Sequence, residues 1–297
     1  MRHAEDPYIS TADFFLLEKW QENSPLPDDA QREQIFAAFA DLGVQGQQPY
    51  QEIKQQRGRK ASHLTTAERD LLSRVRHPTD RCLDDYFIPW VRTCYESGTD
   101  EAWTAIKEKL AGHCGGKTAM ALDNAALYNV AREQRRIFYR VPQLLCVSES
   151  ARQHRERLRK ALYGEDSEEE DPDSDSDAQS EIYLDEPDYE TYYWALVQGR
   201  IHVVDRVALA PEGSCPYAGK VRVVWYDACG RTIKYYRADV GYALELTGCD
   251  SYFLFENPVW GSAMVGKEFR EGGACAPPFK VERESEGEGS KEEGGNK

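Results

Sequence analysis

The sequence predicts an α+β fold, with a helical N-terminal half and an antiparallel, β-rich C-terminal half. Apolar residues recur at helical spacing before residue 164, whereas β-branched and aromatic residues occur in short runs after residue 186. Nine acidic residues between 165 and 177 separate the two patterns and have no apolar neighbours to bury. The sequence therefore predicts a helical domain at 1–164, a disordered acidic linker at 165–185, a β-rich domain at 186–280 and a disordered acidic tail at 281–297.

The first half is predicted to be a series of helices. One apolar helix face, closed by Gly43, consists of Ile35, Phe36, Phe39 and Leu42. The polar, glutamine-rich residues 44–61 are predicted to form a long loop because they offer few core residues. Thr65 and Glu68 form a capping box, which predicts the start of a helix that ends before Pro78. Further helices are predicted at Asp100–Leu110, Thr118–Arg140 and Ser148–Leu162, and the apolar stretch Cys82–Tyr95 is interrupted by Pro89.

The second half is predicted to be an antiparallel sheet. Its candidate strands are Tyr192–Val197, Ile201–Leu209, Val221–Tyr226, Thr232–Tyr236, Tyr242–Leu246 and Tyr252–Phe255. The segment from Asp227 to Gly230 separates two of these strands and has the composition of a hairpin turn. We expect Gly230 to supply the positive φ angle that such a turn needs.

Charge and hydropathy exclude several classes of function. The 52 acidic residues outnumber the 37 basic ones, and the resulting net charge of −15 disfavours non-specific attraction to nucleic acid or anionic lipid. No stretch approaches the roughly 18 apolar residues that span a bilayer, and no apolar run follows the N-terminal charges. We therefore expect neither membrane insertion nor secretion, and we expect action in the nucleus or the cytoplasm.

The cysteines and histidines predict no metal site and no catalytic site. Eight cysteines in 297 residues without a Cys-x-x-Cys pair indicate reduced, mostly buried thiols. The residues that could be combined as zinc ligands lack the spacing of about two to four residues that lets one turn present a ligand pair; they are His77, Cys82, Cys94, His113 and Cys114. A Gly-x-Ser-x-Gly nucleophile elbow is also absent from the sequence. We predict no cofactor.

One motif points to an enzyme. Ala111 is followed, five residues on, by Gly116-Lys117-Thr118, which matches a relaxed phosphate-binding loop. In that interpretation backbone amides and Lys117 hold phosphates and Thr118 holds magnesium. The alternative is a turn between two helices in which Thr118 caps the second helix. The helical spacing of the residues before the motif favours the turn, because a phosphate-binding loop follows a buried strand.

Short linear motifs point instead to interactions. The basic runs Arg132–Arg140 and Arg152–Lys160 suit phosphate contacts or nuclear import, but a solvated helix face beside the acidic block is the favoured interpretation. Ser167 and Ser174 each precede an acidic residue by three positions, which is the pattern of acidophilic kinase sites. A strand-adding interaction peptide of the kind that binds SUMO is predicted at Ile182, Tyr183 and Leu184.

The hairpin segment Val221–Tyr236, with its Asp-x-x-Gly turn and the apolar residues that follow it, resembles the SUKH superfamily in its herpesvirus early-protein branch. The segments Trp225–Asp227 and Gly241–Leu244 are also similar to a segment of the adenovirus early-region-four protein that assembles a ubiquitin ligase. The SUKH resemblance implies an α+β module that binds host proteins to counter host defence and is not an enzyme. The predicted core of this module consists of Trp225, Tyr226, Asp227, Gly230 and Tyr235. We expect these residues to stabilise the module rather than to contact a partner protein.

Together these patterns predict a viral early accessory protein that binds host regulatory or defence proteins in the nucleus or cytoplasm of the host cell. The competing prediction is a nucleotide-binding protein that uses the 111–118 loop. The two differ in their chemistry, since only the second requires Lys117 to contact a phosphate.

Overall fold

A computed structural model describes residues 8–58, 60–77, 88–112, 120–130, 133–163, 189–245, 264–270 and 273–276. The helices of the described residues are α1 (Thr11–Lys19), α2 (Asp28–Arg57), α3 (Thr66–Val75), α4 (Asp100–Gly112), α5 (Ala125–Tyr128), α6 (Arg136–Arg140), α7 (Ala151–Tyr163), α8 (Tyr189–Leu196) and α9 (Val240–Glu245). The strands are β1 (Pro89–Arg92), β2 (Met120–Leu122), β3 (Val197–Val204), β4 (Lys220–Asp227), β5 (Thr232–Asp239) and β6 (Met264–Val265). Short 3-10 turns lie at Ala61–His63 and Pro142–Leu145.

The strands form one mixed sheet in the order β2-β1-β3-β4-β5-β6. Strand β1 runs parallel to both β2 and β3, with Val91 opposite Val203, whereas the pairs from β3 to β6 are antiparallel. The helix α4 connects β1 to β2, so these elements form a βαβ unit. The sheet therefore combines two strands from the N-terminal half with four from the C-terminal half.

Helices cover both faces of the sheet. On one face Val91, Val203 and Val224 pack into a core with α1, α2, α3 and α6. On the other face Trp90 and Trp225 pack into a second core with α4, α8 and α9. Neighbouring residues of one strand thus enter different cores because their side chains alternate across the sheet. Each face buries its apolar surface, which is the main source of stability for such a layered fold.

The α+β class is confirmed, but the strands of the first half were not predicted. The Thr118–Arg140 stretch, predicted to be one helix, contains β2, α5 and α6 instead, and the interrupted stretch up to Tyr95 contains β1. Pairing decides this outcome, because β1 lies between two strands and its four residues are buried. The predicted boundary between the halves stays a prediction, although the β1–β3 pairing crosses it.

Two of the predicted strands are helices. Tyr192–Val197 falls mostly in α8 and Tyr242–Leu246 falls mostly in α9, while Tyr252–Phe255 lies outside the described residues. Tyr193 shows the reason, because its hydroxyl donates to the Phe269 carbonyl at 3.0 Å and its ring packs against the Phe269 ring. The aromatic content that suggested strands is used for packing between elements, which overrides β propensity.

The segment predicted to be a glutamine-rich loop is helical. The chain breaks at Gly43, where φ is 57°, but α2 then continues to Arg57. The glutamines of this part bind the backbone around α7: the Gln51 side chain donates to the Val147 carbonyl at 2.9 Å, and the Ala151 amide donates to Gln48 at 2.8 Å. These contacts with distant residues stabilise a helix that has no continuous apolar face.

Several local predictions are confirmed. Helix α3 begins with the expected capping box, in which the Thr65 amide donates to Glu68 at 2.8 Å and the Glu68 amide donates to Thr65 at 3.3 Å. The predicted helices at Asp100–Leu110 and Ser148–Leu162 correspond to α4 and α7. A search of the described residues for a long apolar helix that could cross a bilayer finds none.

Candidate functional site

A cleft of about 560 Å³ lies at the carboxyl ends of β1 and β3. Its walls come from the segments that follow these strands, from the loop after α5 and from β4. The lining residues used below are Glu96, Val130, Gln134, Val203, Asp205, Arg206, Val207 and Arg222. In sheets with parallel strands, the crevice beyond the carboxyl ends is the usual place for a ligand. The parallel β1–β3 pair and the neighbouring antiparallel strand β4 together create this crevice.

Arg222 places a positive charge in the cleft. Its guanidinium lies 4.3 Å from the centre of the Tyr235 ring, and its buried Nε has no acceptor among the described residues. Burial lowers the pKa of Arg222, Asp205 opposes that shift and Arg237 adds to it. The Arg222 side chain is partly buried, and a guanidinium nitrogen that is removed from water without an acceptor costs free energy. Arg222 is therefore a candidate binding group.

The carboxylate nearest to Arg222, that of Asp205, forms an ion pair with another arginine, Arg237. Asp205 accepts two hydrogen bonds from Arg237, at 3.0 and 2.6 Å, and a third from the Ala208 amide at 3.1 Å. Arg237 is also the cross-strand neighbour of Arg222 on β5. Two guanidinium groups thus share the vicinity of one carboxylate, and like charges placed opposite each other repel. Within the described residues, no carboxylate forms a hydrogen bond or an ion pair with Arg222.

A second concave surface lies between α7 and α8, and we call it the α7–α8 groove. It encloses about 540 Å³, and its lining includes Arg152, Glu156, Lys160, Ala161 and Trp194. Residues 152, 156 and 160 repeat at four-residue spacing, so they lie along one stripe of α7. Neither Arg152 nor Lys160 forms an ion pair within the described part of the chain. The groove combines an apolar wall with exposed positive charge.

The other basic run has a structural role. Arg135 pairs with Asp41 at 2.5 Å, and Arg136 and Arg140 pair with Glu33 at 2.8 and 2.5 Å. These ion pairs attach α6 to α2. The interpretation of this run as a solvated helix face is therefore wrong, because its arginines bind carboxylates of another helix rather than water alone.

The predicted module core lies in and beside the β4–β5 hairpin. Trp225 is fully buried against Tyr236, and the Tyr226 hydroxyl donates to the Leu144 carbonyl at 3.0 Å. Asp227 accepts from the amides of Cys229 and Arg231, at 3.0 and 2.8 Å, and thereby closes the turn.

Gly230 has the expected positive φ, at 72°, and a Cβ there would lie 2.6 Å from the Phe138 ring. Tyr235 is partly buried, and its ring contacts Arg222 of the cleft. The hairpin turn thus holds Gly230 against α6, while Tyr235 connects the hairpin to the cleft. Sequence reasoning missed Arg222 itself, although its position in a strand pattern of alternating valines was a signal.

Burial disfavours the charged forms of two described thiols and one described imidazole. Burial raises the pKa of the Cys146 and Cys229 thiols to about 11, so both stay protonated at neutral pH. Burial also lowers the pKa of His202, whose ring packs 4.4 Å from the Trp90 ring in the second core. The described residues contain no cluster of three side chains suited to a metal.

The remaining predicted site residues lie outside the described residues. These are Gly116, Lys117 and Thr118, the serines Ser167 and Ser174, and the peptide Ile182, Tyr183 and Leu184. The surroundings of the first group are nevertheless informative. Helix α4 ends at Gly112 and β2 begins at Met120, so the motif connects a helix to a strand. A phosphate-binding loop has the reverse order, strand to helix, because the helix N-terminus faces the phosphate.

Comparisons with known proteins find no significant match to a family model, a curated protein or a solved structure. The chain is thus defined by its fold and its sites, as an α+β protein with a mixed sheet, a cleft that contains an unpaired arginine and a basic groove. The resemblances to viral early proteins stay predictions.

Proposed function

We propose that this protein is a viral early accessory protein that binds host regulatory or defence proteins and acts in the nucleus or cytoplasm of the host cell. We further propose that it binds an acidic segment of the host protein in the α7–α8 groove. The observation that carries this proposal is the pair of unpaired cations, Arg152 and Lys160, beside the apolar side chain of Trp194.

The chemistry of the groove supports an acidic peptide as its occupant. Three cations and one carboxylate line it, namely Arg152, Arg157, Lys160 and Glu156, so its formal charge is positive in a chain whose total is −15. Arg157 is engaged with Glu149 at 2.6 Å, which leaves the other two cations for a partner. Carboxylates would meet these cations while one aromatic or aliphatic residue contacts Trp194 and Ala161.

A binding assay with synthetic peptides tests the proposal. The probes are acidic peptides that each contain one aromatic or branched aliphatic residue, and copies in which Gln and Asn replace Glu and Asp. We expect the full-length chain to bind the acidic peptides at least about tenfold more tightly, as measured by fluorescence anisotropy. The double variant Arg152→Glu/Lys160→Glu should lose this preference.

Arg155→Glu is the matched control, because Arg155 is an exposed residue of α7 that does not line the groove. It should bind the acidic peptides like the wild-type chain. Equal losses in Arg155→Glu and in the double variant would contradict a specific groove. A peptide of residues 165–188 belongs in the set, and if it alone binds, the groove serves an internal contact and the host-binding proposal fails.

Purification from host cells extends the test to the natural partner. A host protein with an acidic segment should be recovered with the wild-type chain and with Arg155→Glu, but not with the double variant. The nucleotide-binding alternative is tested separately, by measuring ATP and GTP binding to the wild-type chain and to Lys117→Ala. We expect no binding to either, because of the helix-to-strand context of the motif.

A further inference from the structure

The structure points to a second binding site, distinct from the groove: we propose that the cleft binds a small organic anion whose carboxylate or phosphate is held by Arg222. The cleft of about 560 Å³ falls within the range of small-molecule sites. The groove and the cleft share no lining residue, so either proposal can fail without the other.

The position of Arg222 explains why an anion is needed. Arg222 lies on the same face of β4 as Val224 and Tyr226, which pack against α1, α2, α3 and α6. It lies near the end of β4, however, where the cleft opens. Its cross-strand neighbours are Val203 and Arg237, and neither can accept a hydrogen bond from a guanidinium side chain. An oxyanion in the cleft would supply the missing acceptors.

A second donor lines the same cleft. Gln134 contributes a buried Nε2 that has no acceptor within the described ranges. A carboxylate or phosphate offers several acceptor positions and can therefore accept from both Arg222 and Gln134. The two donors without acceptors lie on different elements, Arg222 on β4 and Gln134 in the segment before α6. A bound ligand could accept hydrogen bonds from both.

The other walls indicate the rest of the ligand. Val130, Val203 and Val207 provide apolar surface in the cleft. Arg206, at the rim, is mostly exposed and pairs with Glu96 at 3.3 Å, so it is already neutralised. The site thus fits an anion that carries an apolar body, with its charged end at Arg222 and its body against the valines.

The probes are phenyl phosphate and benzoate, which carry the two kinds of anion on the same ring, inorganic phosphate, and neutral benzamide. Titration calorimetry on the full chain measures each affinity. We expect at least one aromatic anion to bind more tightly than about 1 mM, and benzamide to bind at least about tenfold more weakly. Binding of inorganic phosphate alone would show that the valine walls do not select the body and would overturn the proposal as stated.

Variants then locate the bound anion. Arg222→Met should weaken binding by at least about tenfold, and Gln134→Leu by about threefold or more. Arg155→Met, at an exposed residue of α7 that does not line the cleft, should leave the affinity within about twofold of the wild type. Circular dichroism and thermal unfolding verify that each variant is folded. If benzamide binds as well as the anions, if Arg222→Met and Gln134→Leu both retain full affinity, or if no probe binds at about 10 mM, the proposal is overturned.

Discussion

Arg76, between α1 and the end of α3, and Arg222, in the cleft, differ in their partners. Arg76 donates to Asp13 at 2.9 and 2.5 Å and to the Tyr8 carbonyl at 3.1 Å, and the side chains of Arg76 and Asp13 are almost inaccessible. Among the described residues, Asp205 is the carboxylate that acts on Arg222, and Arg237 already donates two hydrogen bonds to it.

The difference separates a structural role from a binding role. A paired buried arginine holds two elements together, as Arg76 does for α1 and the end of α3. Arg222 contacts the Tyr235 ring but has no hydrogen-bonded carboxylate among the described residues, so it can pair with a bound anion. The α7–α8 groove is a third case, because its unpaired cations are exposed to water and cost little.

The largest effect is expected when residues 1–164, which include β1 and β2, are separated from strands β3 to β6. Residues 1–164 expressed alone should lack a cooperative unfolding transition, because Val91 and Leu122 share one core with Ile201 and Val203. Urea denaturation followed by circular dichroism measures this. Independent, cooperative folding of 1–164 would instead confirm the predicted two-domain division.

The next effect concerns the paired arginine. Asp13→Ala should lower the free energy of unfolding by about 3–5 kcal/mol, because it leaves Arg76 buried without its carboxylate. Glu22→Ala is the matched control: it removes an exposed partner of Arg74 and should cost at most about 1 kcal/mol. Equal costs from urea unfolding curves would contradict the distinction between buried and exposed pairs.

The unpaired arginine should behave in the opposite sense. Arg222→Met should raise the free energy of unfolding by at most about 1 kcal/mol, because removing a partly buried charge that has no hydrogen-bonded carboxylate outweighs the loss of its contact with the Tyr235 ring. Arg237→Met should lower it by about 1–3 kcal/mol, because Asp205 then loses two of its donors. Chemical denaturation without ligand measures both. A loss of stability in Arg222→Met would contradict this prediction, because it would mean that Arg222 has a structural role, for example through its contact with the Tyr235 ring.

The smallest effect comes from a surface pair. Hydrogen bonds from Arg57, aided by Thr65, lower the pKa of Glu68 from 4.5 to about 2. Because the pKa is lower in the folded chain, this pair stabilises the fold above pH 4.5, and its contribution is lost as the pH falls towards 2. Since both side chains are partly exposed, we expect at most about 1 kcal/mol. Glu68→Gln should flatten the decrease in stability between pH 5 and pH 2 measured by urea unfolding.

Local signals in the sequence predicted some elements well. The Thr65–Glu68 capping box and the Asp227–Gly230 turn are made by residues close in sequence, and the structure has both where they were expected. Their hydrogen bonds need no distant partner, so a short window of sequence contains all the information.

Other elements depended on distant partners. Strands β1 and β2 are too short to give a periodic pattern, and Gln47 and Gln51 form a helix that binds the backbone at Val147. The aromatic residues of α8 resembled a strand because burial, rather than secondary structure, selects them. The sequence did not predict the Arg222 cleft either, because its walls come from segments more than 100 residues apart.

The sequence by itself determined the α+β class, the net charge of −15 and the positions of the strongest caps and turns. These properties follow from composition and from contacts within a few residues. Only the tertiary structure decided that strands from both halves form one sheet, and that, among the described residues, Arg76 has a carboxylate partner while Arg222 has no hydrogen-bonded one. The physical reason is that pairing, burial and desolvation depend on which residues meet in space, and an arginine in a sequence carries no record of its neighbours.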